Sequence, residues 1–204
     1  MSVIDPILRD VPSELLGDRV RVRSYRAGDG AALFEAVVES REHLRPWMPW
    51  VDSHRQVEDS EVFARRAAAR WLAREDFCCG IWDRQTDRYL GSSGLHVRDW
   101  DVPELEVGYW LRSSAEGHGY VSETVRLLAR VAFETLGANR LFLRCDALND
   151  RSAAVARRLG FVQEGTFRHD SRDPSGSLRD TLFFAMLPDD YAKLRREWWP
   201  GGDG

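Results

Sequence analysis

Hydrophobic and polar residues along this chain follow two periods, which predicts a mixture of strands and helices. Positions that alternate, or that form short apolar runs, predict strands at 20–23, 77–82, 89–97, 104–111, 141–145, 163–169 and 178–186. Positions repeating every three to four residues predict helices at 30–40, 57–74, 121–136, 152–159 and 189–198. The segment 44–51 is interrupted by Pro46 and Pro49, so it is predicted to be a loop or short turn.

The middle of the chain carries the clearest pattern. In 104–111, Leu105, Val107, Tyr109 and Leu111 share one face of the predicted strand, opposite Glu104, Glu106, Gly108 and Trp110. Gly108 within this strand suggests a bulge or a close backbone approach. The helix at 121–136 then leads to the strand at 141–145. A strand–helix–strand crossover requires a parallel pair, so the predicted fold is mixed α/β (α+β).

Composition restricts the class of protein. The chain has 204 residues, 43% of them hydrophobic, and a net charge of -4. We expect a single domain over 1–204, with 1–15 and 199–204 peripheral or frayed. The negative charge argues against a nucleic-acid partner. No apolar run spans a bilayer and no signal-peptide core is present, so we expect a cytoplasmic protein without a membrane partner. The three cysteines and five histidines show no metal-ligand spacing, so no metal is expected.

A glycine loop separates the strand at 104–111 from the following helix. Gly117 and Gly119 lie one residue apart, just before the predicted helix start near Val121. The first amides of a helix have no internal acceptor, and the helix dipole adds partial positive charge there. This arrangement predicts a site for a phosphate-bearing cofactor.

The segment 104–161 resembles the core of the GNAT acetyltransferases, which use acetyl-CoA. The family's pyrophosphate loop, Gln/Arg-x-x-Gly-x-Gly/Ala, corresponds to 114–119, with Ser114 departing at the first position. The runs 106–111, 149–161 and 44–50 are similar to the RimJ/RimL-type branch, which acetylates ribosomal-protein N-termini. The resemblance implies a mostly antiparallel seven-stranded sheet with a central parallel pair, flanked by helices.

The resemblance also implies where the cofactor would bind. Backbone amides of the loop and helix start, at Gly117, His118, Gly119, Tyr120 and Val121, would hold the pyrophosphate. The strand end at Trp110, Leu111 and Arg112 would contact the pantetheine arm. Asn149 and Ser152 would contact the pantetheine side or the reacting thiol. The alternative for these last two is a turn residue and a helix cap.

The implied reaction moves an acetyl group from the CoA thioester to an amine. Glu106 is the candidate for accepting the amine proton, directly or through water, with Glu104 as competitor and a solvent-facing carboxylate as the alternative. A backbone N–H, of Val107 or Gly108, would hold the oxyanion. Many relatives carry a tyrosine acid near 159–161, where this chain has none, so Ser152 or solvent would protonate the thiolate.

Trp47 and Trp50 are expected to line the acceptor site, or alternatively to pack a lid on the core. His96, His118 and His169 rank below Glu106 as catalysts. The leading hypothesis is acetyl transfer from acetyl-CoA to the α-amine of a protein or peptide. The alternatives are acetylation of a small amine, such as a polyamine, antibiotic or toxin, and a non-catalytic acyl-CoA sensor. A homodimer is compatible with the sequence.

Overall fold

The structure is a computed structural model and describes residues 5–199. In that range, eight strands form one sheet in the order β1-β2-β3-β4-β5-β6-β8-β7. The strands are β1 (Glu14–Leu16), β2 (Val20–Ser24), β3 (Phe77–Asp83), β4 (Tyr89–Asp99), β5 (Glu104–Leu111), β6 (Arg140–Asp146), β7 (Val162–Arg172) and β8 (Leu178–Met186). β5 and β6 are parallel and the other neighbours are antiparallel, so the predicted α/β architecture with a central parallel pair is confirmed.

The sheet has one strand more than the seven expected. The additional strand, β1, pairs with β2 through Leu15↔Val22. It has three residues, of which only Leu15 is buried. A run this short shows no alternation, so the pattern of hydrophobic residues could not reveal it.

The described residues contain five α-helices, four of them between strands and one after β8. They are α1 (Gly30–Leu44), α2 (Val57–Leu72), α3 (Tyr120–Arg130), α4 (Asp150–Arg158) and α5 (Pro188–Trp198). α1 extends four residues beyond the predicted end at Ser40. The predicted loop after it contains a 3-10 turn at Pro49–Ser53, and α3 continues as a π-helical turn at Val131–Thr135. Of the two ends expected to be peripheral or frayed, residues 1–4 and 200–204 lie outside the described residues.

Two hydrophobic clusters cover the two faces of the sheet. The larger one packs α3 and α4 against the sheet and includes Leu105, Val107 and Leu128. The smaller one packs α1 against the other face and includes Leu33, Val37 and Trp110. Because neighbouring residues of β5 contribute to opposite clusters, the predicted alternation along this strand is confirmed. In the described part of the chain, no helix has the length and apolar character needed to cross a membrane.

Candidate active site

The central feature of the site is an opening in the sheet between β5 and β6. These strands pair only over Glu104–Glu106, opposite Arg140 to Phe142. On its other side, β5 stays paired with β4 as far as Leu111. The second half of β5 therefore has one free edge. Gly108 does not form the bulge suggested by the sequence, because it pairs in regular register with Gly94; the irregularity lies at Val97/Asp99.

Backbone groups of β5 line this opening in an alternating pattern. The Arg112 N–H donates to the Leu90 carbonyl at 2.8 Å, which fixes which residues of β5 point toward β4. By the alternation of an antiparallel ladder, the backbone groups of Val107, Tyr109 and Leu111 point the other way, toward β6. Of the two predicted oxyanion donors, Val107 is the one whose backbone groups point toward β6.

The glycine loop lies at the end of β5, beside the start of α3. Gly117 and Gly119 adopt left-handed backbone angles, with φ of 78° and 80°, which glycine accepts without strain. Within the described chain, the N–H groups from Gly117 to Val121 have no protein acceptor. A Cβ on Gly117 would meet no protein atom within 4 Å. Exposed amides beside an open space suit a pyrophosphate, so the loop fits the cofactor implied by the sequence.

Residues of the glycine loop and of the start of α3 contact neighbouring parts of the protein. The exposed His118 accepts a 2.7 Å hydrogen bond on its carbonyl from Arg19 Nη1, which brings a cation beside the loop. The Tyr120 ring lies 5.4 Å from the Arg19 guanidinium, and the Val121 side chain packs against the larger cluster. Leu111 is buried in that same cluster.

Arg112 is oriented away from the loop. Its guanidinium donates to the carboxylates of Glu35 and Glu39 on α1 and to the Tyr89 carbonyl. Only 3% of the residue is exposed. Its side chain thus joins β5 to α1, and the contact of Arg112 with the pantetheine arm stays a prediction.

Asn149 and Ser152 lie at the start of α4, on the larger cluster's side of the sheet. The Asn149 side-chain oxygen caps this helix by accepting from the Ser152 N–H at 3.0 Å. The Asn149 oxygen therefore has the alternative role predicted for it, that of a helix cap, while the Asn149 NH₂ group is still available as a donor. The Ser152 hydroxyl lies 3.0 Å from the Tyr109 hydroxyl. Burial raises the pKa of the Tyr109 phenol well above its usual range, so the phenol stays protonated.

Glu106 lies on the opposite face, where β5 and β6 separate. Arg98 of β4 donates to its carboxylate through Nε at 2.9 Å, and Arg144 of β6 through Nε at 3.1 Å. Burial raises the pKa of Glu106, but the hydrogen bonds from Arg144 and Arg98 outweigh it, and the net pKa is lowered. A carboxylate held in this way binds a proton weakly. Its role as the proton acceptor stays a prediction.

Two of the predicted aromatic residues meet on this same face. The Trp50 ring lies 5.6 Å from the Trp110 ring, and 37% of Trp50 is exposed. Trp110 is buried in the smaller cluster, so Trp50 is the more accessible of the two rings on this face. Trp47 is half-buried in the turn after α1, where its N–H donates to the Leu44 carbonyl at 2.9 Å.

Comparison with known proteins identifies the fold. The family model described as the acetyltransferase (GNAT) domain matches residues 19–162. This chain belongs to the GNAT acetyltransferase family. It is 24% identical over 188 residues to the putative ribosomal N-acetyltransferase YdaF of Bacillus subtilis, covering 90% of this chain and 95% of the relative.

Two solved structures resemble this acetyltransferase closely in fold. The microcin C7 self-immunity acetyltransferase MccE, in complex with acetyl-CoA and AMP, has a TM-score of 0.81 at 18% identity, covering 87% of this chain and 97% of its own. RimL, the ribosomal L7/L12 α-N-protein acetyltransferase in complex with coenzyme A, has a TM-score of 0.78 at 20% identity, covering 86% of this chain and 98% of its own.

The structure adds residues to the acetyltransferase site that the sequence did not single out. Tyr109 reaches Ser152, although it comes from β5 rather than from the segment after α4. Arg19 borders the loop although it precedes it by about a hundred residues. Tyr109 lies on the same face of β5 as Val107 and Leu111, so the alternation of residues along the strand could have indicated which way its side chain points. No sequence pattern could have indicated Arg19, because its position depends on the pairing of β2 within the sheet.

Proposed function

We propose that this acetyltransferase transfers the acetyl group of acetyl-CoA to the α-amino group of a protein or peptide. The observation that carries the proposal is the opening between β5 and β6, which connects the two faces of the sheet. Free loop amides and Ser152 lie toward one face, and Glu106, Trp110 and Trp50 lie on the other. Cofactor and acceptor can therefore approach from opposite sides and meet at one point.

The amides from Gly117 to Val121 would hold the cofactor's pyrophosphate, with the Arg19 cation beside them. Acetyl-CoA would supply a thioester, whose carbonyl is open to attack by an amine. The free edge of β5 would bind the extended pantetheine arm through the backbone groups of Tyr109 and Leu111. The Val107 N–H would donate to the carbonyl oxygen as negative charge develops there.

The Ser152 hydroxyl, in the first turn of α4, and the Tyr109 hydroxyl beside it would lie near the departing sulfur. Their 3.0 Å contact lets the buried phenol orient the serine hydroxyl. The Asn149 amide would donate to the pantetheine arm. Hydrogen bonds from the two hydroxyls to the sulfur would stabilise the thiolate until it takes up a proton.

The choice of a protein α-amine is supported by the character of the acceptor face and by the relatives. Glu75 and Asp76 line a cavity on this face, together with Arg70 and Arg98, and offer carboxylates to an ammonium group. Trp50 leaves more than a third of its surface open to an incoming side chain. YdaF and RimL are both named as acetyltransferases of ribosomal proteins. A ribosomal-protein substrate would be encountered in the cytoplasm.

The test is a CoA-thiol release assay with matched acceptors. One peptide carries a free α-amine and an internal lysine, its partner is the same peptide with a blocked α-amine, and spermidine and an aminoglycoside represent small amines. We expect turnover with the free peptide alone, and mass spectrometry should locate the acetyl group on its first residue. Turnover only with small amines would contradict the proposal, and coenzyme A binding without any turnover would support an acyl-CoA sensor instead.

A further inference from the structure

We infer that His96, oriented by Asp76, is the group that accepts the proton from the acceptor amine. The inference rests on the proposed function, because it names the base for that same reaction. It begins from a contact outside the predicted site residues: His96 Nδ1 lies 2.8 Å from the Asp76 carboxylate. His96 belongs to β4, and Asp76 immediately precedes β3.

The Asp76 contact determines which imidazole nitrogen is free. A carboxylate accepts hydrogen bonds and does not donate them, so Nδ1 of His96 must carry the hydrogen. In the neutral imidazole, Nε2 is then a hydrogen-bond acceptor with an available lone pair. The same arrangement of carboxylate, imidazole and reacting group orients a general base in hydrolytic enzymes.

The free nitrogen points at the notch that Gly108 leaves in β5. A Cβ built on Gly108 would lie 3.3 Å from His96 Nε2, and apart from its two chain neighbours no other residue within 5–199 comes within 4 Å of that position. On this face of β5, Gly108 lies between Glu106 and Trp110. An amine group in the notch would contact Nε2 directly and would lie next to the opening between β5 and β6.

The surroundings of the imidazole give access from solvent. His96 lines a cavity of about 500 Å³ together with Arg70, Glu75, Asp76, Val97 and Arg98. About a third of the His96 side chain is exposed, against 13% of the Glu106 side chain. His96 pairs directly with Glu106 across the ladder, so both flank the same position. His96 has a free acceptor atom there, whereas both Glu106 oxygens accept from arginines.

In the proposed step, the acceptor arrives as an ammonium ion, and one of its protons moves to His96 Nε2 and then to solvent through the cavity. The neutral amine forms the C–N bond with the acetyl carbon. The C–S bond breaks, the nitrogen loses its second proton, and the CoA sulfur takes up one. The net products are the acetylated amine, CoA thiol and one proton.

The experiment compares His96→Asn with wild type and with His169→Asn. Asparagine retains a donor that reaches toward Asp76 but provides no basic nitrogen. His169 is an exposed histidine on the edge strand β7, and its left-handed backbone (φ 53°) accommodates asparagine. General-base catalysis contributes about 10²–10⁴-fold, so we expect kcat of His96→Asn to fall by about a hundredfold or more. Affinity for coenzyme A should stay within twofold, and His169→Asn should match wild type.

Two further variants separate a chemical role from a structural one. His96→Ala should regain activity when imidazole is added, and Asp76→Asn should lower kcat without changing coenzyme A affinity. Wild-type kcat in His96→Asn, or failure of imidazole to restore His96→Ala, would overturn the inference while leaving the proposed function intact. A wild-type enzyme that acetylates no amine in the panel would overturn the proposed function and this inference with it.

Discussion

Replacing Gly117 by alanine tests whether the glycine loop binds the cofactor through a close backbone approach. In the free protein a Cβ at this position meets nothing within 4 Å, so the substitution causes no clash with the protein. The cost to folding is the left-handed backbone at φ 78°, about 1–2 kcal/mol for a residue with a side chain. For a chain of this length, that corresponds to a fall in Tm of about 2–8 °C.

The effect of the substitution on the affinity for coenzyme A should be separate from its effect on folding. The new methyl group lies in the space where the pyrophosphate would approach the amides. Losing one hydrogen bond to a charged group costs about 1.5–3 kcal/mol, which is about 10- to 150-fold in Kd. Isothermal titration calorimetry with coenzyme A measures Kd, and differential scanning calorimetry measures Tm on the same sample.

Gly176 provides the matched control. It lies in the turn between β7 and β8, has φ 88°, and its Cβ position is equally open. Gly176→Ala should lower Tm by a similar amount and leave the Kd of coenzyme A unchanged. Gly117→Asn should recover most of the stability, because asparagine tolerates the left-handed region, but not the affinity. A Gly117→Ala variant that binds coenzyme A within twofold of wild type would refute the reasoning.

Three further predictions concern charged residues. Arg23→Met should destabilise the fold by about 3–5 kcal/mol in urea unfolding, because it leaves the Asp29 carboxylate, 8% exposed, without its bidentate partner; a loss below about 1 kcal/mol would contradict this. The Arg112 hydrogen bond lowers the pKa of Glu39 from 4.5 to about 2. The carboxylate is thus stabilising above pH 4.5, and the stability lost in Glu39→Gln should diminish as pH falls from 4.5 toward 2; a pH-independent difference in urea midpoint would contradict it. Glu106→Gln should weaken coenzyme A binding and also lower kcat, whereas a fall in kcat alone would identify Glu106 as a base.

The sequence predicted those elements whose hydrophobic pattern is long and regular. β5 has the predicted bounds, Glu104–Leu111, and the periodic positions of the helix predicted at 121–136 are buried from Val125 to Ala132. Both elements pack against a large apolar cluster, so their patterns record the core directly. α1 ends four residues later than predicted, because its last turn is mostly polar and only Leu44 is buried there.

The candidate site was only partly predictable, for a different reason. The loop glycines and the start of α4 are local motifs, and the sequence located both. The contacts His96–Asp76 and Tyr109–Ser152 depend on strand register and on how α4 packs, which no local pattern encodes. The two alternatives predicted for Gly108, a bulge or a close backbone approach, show the same limit. A glycine within a strand indicates that a side chain is not tolerated, but not whether a bulge or a neighbouring imidazole is the cause.

The position of Glu106 explains why a carboxylate lies between two arginines at this point. Arg98, Glu106 and Arg144 lie on β4, β5 and β6 respectively, at the last residue where β5 pairs with β6. Beyond this point no ladder hydrogen bonds join those two strands. A charge cluster that spans all three strands therefore fixes where the opening begins, and with it the distance between the free edge of β5 and β6. On this reasoning Glu106 sets the geometry of the opening, and His96 is the residue left free to exchange a proton.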